Sequence, residues 1–168
     1  MKNITFLLAL SLMSLPSIII AQDEYKYEPV PHKAEYYVDK SKPGKAVEDL
    51  LKWGEQLVEW TSDHSIYDNW QPVVFMPYFN SNLQSHDSVF LGLWPNATEQ
   101  YAGLDYWVKN GTSLLAKAPT IPVNALDTWQ WPISSPEGDL SVGAVRFADC
   151  KMKDGVTGRQ LFDAYKDF

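Results

Sequence analysis

Between positions 89 and 94 both parities of the chain are apolar: Val89, Leu91 and Leu93 on one, Phe90, Gly92 and Trp94 on the other. That is the pattern of a strand covered on both faces. At Pro95 the period changes. Asn96 followed by Glu99 is a variant of the capping box, and Ala97, Tyr101, Leu104 and Val108 then recur at helical spacing until Asn110-Gly111 supplies a stop. The spacing therefore predicts a strand, a tight turn and a helix, and the remaining elements are read around this unit.

Upstream, residues 34–39 read as a first strand and Lys42-Pro43-Gly44 as a turn. Val47, Leu50, Leu51, Leu57 and Val58 then make the apolar face of a helix over about residues 45–61. A polar loop leads to a strand at 73–79, in which Pro77 has no N–H and belongs at an edge, a bulge or the strand end. Polar residues 80–87 join it to Val89 as a long hairpin. Downstream, 112–117 predicts a short helix, Pro119 and Pro122 break the chain, and 125–131 alternates as a strand. Trp129 and Trp131 fall on one face of that strand with no element assigned to cover them. The order β-α-β-β-α-β over residues 34–132 predicts an α+β fold of ferredoxin-like plan, an antiparallel sheet with both helices on one face.

The tail repeats the opening. Residues 133–141 read as a linker, and sliding the chain from 142 onward back by 111 positions sets Lys151 on Lys40, Lys153 on Lys42, Gly155 on Gly44 and Leu161 on Leu50, with Phe147 on Tyr36. The same strand, turn and helix restart where a first unit has closed, so 142–168 is expected to begin a second similar unit that is incomplete at Phe168.

The ends and the charge narrow the function. Lys2, an apolar run over 4–15 interrupted by Ser11, Ser14, Pro16 and Ser17, and Ile19 and Ala21 at the minus-three and minus-one positions predict a cleaved signal over 1–21, hence a secreted or periplasmic protein without a retained anchor. Residues 22–33 are polar with two prolines and read as a mobile leader. The whole chain carries a formal charge of −7. Loss of Lys2 with the signal makes the remainder more acidic still, which speaks against nucleic acid as a partner. Cys150 is the sole cysteine, so no internal disulfide is available, and it is expected to be a buried small hydrophobe. Seven tryptophans in a chain of one-domain length predict a well-filled core with aromatic surface left for a ligand or a partner.

The stretch from Phe90 to Tyr101, with its strand, Trp94, short capped turn and helix, resembles the dimeric α/β-barrel superfamily, which includes the antibiotic-biosynthesis monooxygenase, stress-responsive barrel and heme-degrading families. The resemblance implies that two ferredoxin-like units pair their sheets into a barrel, with a ligand held between each sheet and its helices. Heme chemistry does not carry over. The heme-degrading branch has a His toward the end of this helix, where the chain reads Val108-Lys-Asn-Gly-Thr-Ser113.

No nucleophile–base set and no metal-ligand spacing stands out, so neither a metal nor a cofactor is expected. Of the three histidines, His32 and His64 sit among polar residues and are most simply solvated, whereas His86 beside Asp87 is a weak candidate for proton transfer against the simpler reading of an exposed turn pair. Trp94, Tyr101, Trp107 and Trp129, together with Tyr106 and Trp131, are candidates to line a pocket, with Tyr78 or Asp105 as its polar handle, and simple core packing is the competing role. Asn96-Ala-Thr98 and Asn110-Gly-Thr112 match the glycosylation sequon and in a bacterial protein serve as caps. Two functions remain: an exported module that self-associates through its sheet face and binds a small apolar ligand, and a cofactor-independent monooxygenase-like enzyme acting in the barrel cavity. An inward-facing His, Arg or Asp at the cavity floor would favour the enzyme.

Overall fold

The computed structural model of the protein describes residues 26–78, 85–134 and 143–168. The expected signal, the tip of the hairpin and most of the expected linker lie outside the described residues. Four strands, β1 (His32–Ser41), β2 (Gln71–Phe75), β3 (Ser88–Trp94) and β4 (Thr120–Gln130), form one antiparallel sheet in the order β2-β3-β1-β4. Helix α1 (Val47–Ser62) lies between β1 and β2 in the chain, while α2 (Ala97–Asn110) and the single turn α3 (Thr112–Leu115) lie between β3 and β4. A further helix, α4 (Gly158–Lys166), closes the chain. The protein is thus α+β, as the hydrophobic pattern predicts.

Register sorts the side chains into two faces. Lys33, Glu35 and Tyr37 lie opposite Trp94, Gly92 and Phe90, whereas Ala34, Tyr36 and Val38 lie opposite Leu93, Leu91 and Val89. Residues of α1 and α2 share a cavity with the first set, so both helices lie over that inner face. Ala34 and Leu91 are buried on the outer face, but Leu126, opposite Tyr36, is 58% exposed.

The strand limits differ from the expected ones for identifiable reasons. β1 starts at His32, two residues early, because Lys33 is buried and ion-paired with Asp127 of β4 at 2.6 Å, which makes a polar residue a good strand member there. β2 stops at Phe75, ahead of Pro77. β4 begins at Thr120 and runs through Pro122, which the sequence reading treats as a break. The missing N–H is tolerated because β4 is an edge strand and Pro122 pairs with Asp39 where the register slips between Val38 and Asp39.

The face of α2 also needs correction. Asn96 accepts the Glu99 amide at 2.9 Å as a cap should, although its own side-chain amide, rather than its backbone N–H, meets the Glu99 carboxylate at 2.9 Å. The buried positions, however, are Gln100 and Gly103, while Tyr101 and Val108 are exposed. Gly103 decides the rotation. A Cβ there would lie well inside contact distance of the Trp94 ring, so the bare backbone is what allows the indole to slide beneath the helix.

The tail reaches the outer sheet face, where the Phe147 ring meets Tyr36 at 6.0 Å and Phe75 at 5.4 Å between centroids. Its turn copies the one before α1. The Lys45 N–H donates to Lys42 O at 2.9 Å around Gly44 at φ +75°, and the Val156 N–H donates to Lys153 O at 3.1 Å around Gly155 at φ +79°. Left-handed backbone at both sites requires glycine. The helices then begin at Val47 and Gly158, also 111 positions apart, and in each the side chain three residues past the N-cap accepts the N-cap backbone N–H, Asp49 from Ala46 at 3.0 Å and Gln160 from Thr157 at 2.9 Å. Only Thr157, which has a hydroxyl, completes a capping box by accepting the Gln160 N–H at 3.2 Å. Cys150 is exposed, not buried as expected, because the whole of 143–150 is exposed and has no ladder partner among the described residues.

Candidate functional site

A cavity of about 320 Å³ lies between the inner sheet face and the helices. Glu35, Tyr37 and Asp39 of β1 and Phe90 and Trp94 of β3 contribute one side of its wall. The other side comes from Leu50, Trp53 and Leu57 of α1 and Leu104 and Trp107 of α2. Tyr67 and Trp70, from the loop that precedes β2, contribute as well.

The polar ends of these aromatic side chains are tied into the framework. Trp53 Nε1 donates to Leu114 O at 3.0 Å, Tyr67 OH to Gly103 O at 2.8 Å, and Trp94 Nε1 to Glu35 Oε1 at 3.1 Å. Tyr37 OH donates to Glu35 Oε2 at 3.2 Å. Each bond fixes a ring with little freedom to turn, so the wall is preformed. One donor is left over: the indole N–H of Trp70 is buried and has no partner among the described residues. Such a group is costly unless something meets it.

Two carboxyl groups face this wall. Glu35 is 7% exposed, and burial pushes its carboxyl above the ordinary range against the Trp94 and Tyr37 hydrogen bonds that favour the anion. Asp39 is 5% exposed; burial pushes it up to about 6, opposed by a hydrogen bond from Thr120. Burial likewise raises the phenols, that of Tyr67 to about 12 and that of Tyr37 further, with the Glu35 charge adding to the latter. Gly92 makes room for the acid, since a Cβ there would fall 2.6 Å from Glu35 Oε1 and 2.8 Å from Trp70 Nε1. Lys33, although buried, is not in the wall; it is spent on Asp127 and lies 5.1 Å from the Trp129 ring centroid and 6.0 Å from that of Tyr101.

The side chains singled out from sequence scatter. Trp94 and Trp107 are in the wall. Tyr78 and Tyr101 are exposed, and Asp105 is exposed and paired with Lys109 at 2.6 Å. Trp129 and Trp131 instead border a more open groove of about 550 Å³ against Leu161, Phe162 and Tyr165 of the tail. That groove is larger, but Tyr165 is its one ionisable group. Tyr106 meets His64 and Trp60 in tilted ring contacts outside the wall, with centroids 5.1 and 6.1 Å away. His64 is therefore not simply solvated: its Nδ1 meets Trp60 O at 2.7 Å, and its ring lies tilted against that of Trp60 with centroids 4.5 Å apart.

His86 and Asp87 do not form a dyad. His86 Nδ1 lies 2.7 Å from Ser85 Oγ, while Asp87 accepts the Ser41 N–H at 2.8 Å and pairs with Lys40 at 3.4 Å, bonds that hold its carboxyl below the ordinary range. Glu35, Asp39, Trp53 and Trp70 are absent from the sequence candidates. The available signal was the parity of Glu35, Tyr37 and Asp39 along one strand, which becomes informative only once that parity is known to face the helices. No group of three or more metal-ligating side chains occurs among the described residues. The chain matches no model of a known protein family and no characterised protein.

Proposed function

We propose that this protein is a ligand-binding module of ferredoxin-like, α/β-barrel-type plan, which holds one small, mostly apolar molecule between sheet and helices and receives a second unit of the same kind on its outer sheet face. The observation that carries the ligand reading is the preformed aromatic cavity with a buried, unpartnered indole N–H at its wall. The strand order β2-β3-β1-β4 with α1 and α2 over one face supports the plan. The repeated glycine turn, helix start and side-chain acceptor for the N-cap N–H, each 111 positions apart, support a tail that opens a second unit, and the contacts of Phe147 with Tyr36 and Phe75 support the outer face as the surface it uses. Export rests on the residues of 1–21 alone, as does the assignment to a secreted or periplasmic compartment.

The ligand reading is tested by titrating tert-butylbenzene, a neutral apolar probe, into isotope-labelled protein and following the seven indole N–H resonances by NMR. The expected result is a saturable shift at Trp70 and Trp94 with Trp131 unmoved. Shifts confined to Trp129 and Trp131 would place the binding in the open groove and sink the reading.

The monooxygenase-like alternative gains from two inward-facing acids: Asp39, pushed up to about 6, a value that suits a proton acceptor near neutral pH, and Glu35, which burial pushes above the ordinary carboxyl range. On that reading one of them takes a proton from an acidic phenol or C–H. Oxygen uptake with hydroxylated aromatics that survives Asp39→Asn and Glu35→Gln unchanged would exclude them as the base.

A further inference from the structure

We infer that the ligand of this cavity is a small organic cation, an alkyl or aryl amine or a quaternary ammonium, held against tryptophan faces with carboxylates as its counter-charge. This rests on the ligand reading above and narrows it. Four tryptophans, Trp53, Trp70, Trp94 and Trp107, contribute to one wall, and the N–H groups of Trp53 and Trp94 are already taken, by Leu114 O and by the Glu35 carboxyl group. With their donors occupied, those two rings have only π surface and hydrocarbon left to offer a ligand. A π face carries a negative quadrupole and attracts a cation, most strongly when the cation is shed of water.

The ionisable lining has one sign. Glu35 and Asp39 are acids, and no Lys, Arg or His is among the residues of the wall. The buried Lys33 is neutralised by Asp127 at 2.6 Å, and the part-buried Lys42, which is not in the wall, has its ammonium engaged with Ala118 O at 2.6 Å. An anion entering would meet two carboxyl groups and no positive side chain, and a neutral hydrocarbon would leave both acids without a counter-charge. A cation answers both conditions: a buried acid is stabilised by an opposite charge within a few ångström. The volume, about 320 Å³, stands at the small end of ligand sites and suits a single ring or a short alkyl chain. The Trp70 N–H asks for an acceptor, which a hydroxyl or carbonyl on the same molecule would supply.

The test uses three probes of nearly one shape: phenyltrimethylammonium, its neutral isostere tert-butylbenzene, and the anion benzenesulfonate. Each is titrated into the purified protein with indole NMR shifts and calorimetry as readouts. The expected result is that the cation binds at least about tenfold tighter than the neutral isostere and that the anion does not bind, a margin in keeping with a desolvated cation–π contact. In Glu35→Gln and Asp39→Asn, checked for folding by their spectra, at least one variant should lose that preference while keeping affinity for tert-butylbenzene. Equal or weaker binding of the cation, with tert-butylbenzene still bound at Trp70 and Trp94, would overturn the cation inference and leave the ligand reading standing. Binding of none of the three would remove both. A preference unchanged in both acid variants would also overturn the inference.

Discussion

Two glycines and two acids set the character of the inner face. Gly103→Ala gains helix propensity worth roughly 0.5–1 kcal/mol but drives a methyl group into the Trp94 ring, and overpacking of that kind costs about 1–3 kcal/mol. The net expected outcome is a loss of stability in denaturant melts, with the Trp94 fluorescence environment altered. Asp39 makes a pH prediction. Its folded-state pKa, about 6, lies above the ordinary carboxyl value of 3.8, so the folded protein binds the extra proton between those values and stability falls as pH rises through that window. Asp39→Asn should therefore stabilise the protein above pH 6 by on the order of 2 kcal/mol, the effect shrinking toward pH 4. The acids held low by hydrogen bonds, such as Asp87 and Asp127, act in the opposite sense, so the comparison is variant against parent at each pH. A variant that tracks the parent across this range would show that Asp39 is not desolvated. Cys150, exposed on the tail, should label quickly and stoichiometrically with a bulky thiol reagent in the native protein.

At the scale of elements, the pattern of apolar residues located most of what is there. Both long helices, the cap at Asn96 and strand β3 follow from period changes and from Asn96 and Glu99 alone. The facing of α2 did not follow, because Tyr101 and Val108 have the right spacing for a buried stripe, whereas the helix turns on Gly103, whose value is the absence of a side chain. Nor did the site, because Glu35 and Asp39 look like the solvent face of an amphipathic strand until the helices are known to cover that parity. β4 shows a third limit. A proline is a break by local rules, and only the edge position and the slipped register beside Asp39 make Pro122 acceptable. The facing can be checked by a pair of truncations. Leu104→Ala opens the cavity wall and should cost about 1–3 kcal/mol, less than a fully buried leucine, whereas Val108→Ala, at 71% exposed, should fall within about 0.5 kcal/mol of neutral. Urea melts giving the reverse order would mean that α2 presents its other face.

For the molecule as a whole, the two sheet faces are covered differently. The inner face closes on the helices around a small space, and the outer face carries Tyr36, Phe75 and Leu126 with Phe147 of the tail lying across it. If that face receives a second unit, the protein should associate at micromolar concentration in sedimentation experiments, and Leu126→Lys should shift it toward monomer; a monodisperse parent would argue against the pairing. Association and ligand binding are separable, because the residues differ. The central claim, that the space between sheet and helices is a binding site, is tested most directly by calorimetric titration of tert-butylbenzene into the parent and into Leu104→Trp, a substitution that fills the cavity from α2. The account predicts one site per chain with a negative heat-capacity change in the parent and no binding in the folded variant. Equal binding to both proteins, or none to the parent, would contradict it.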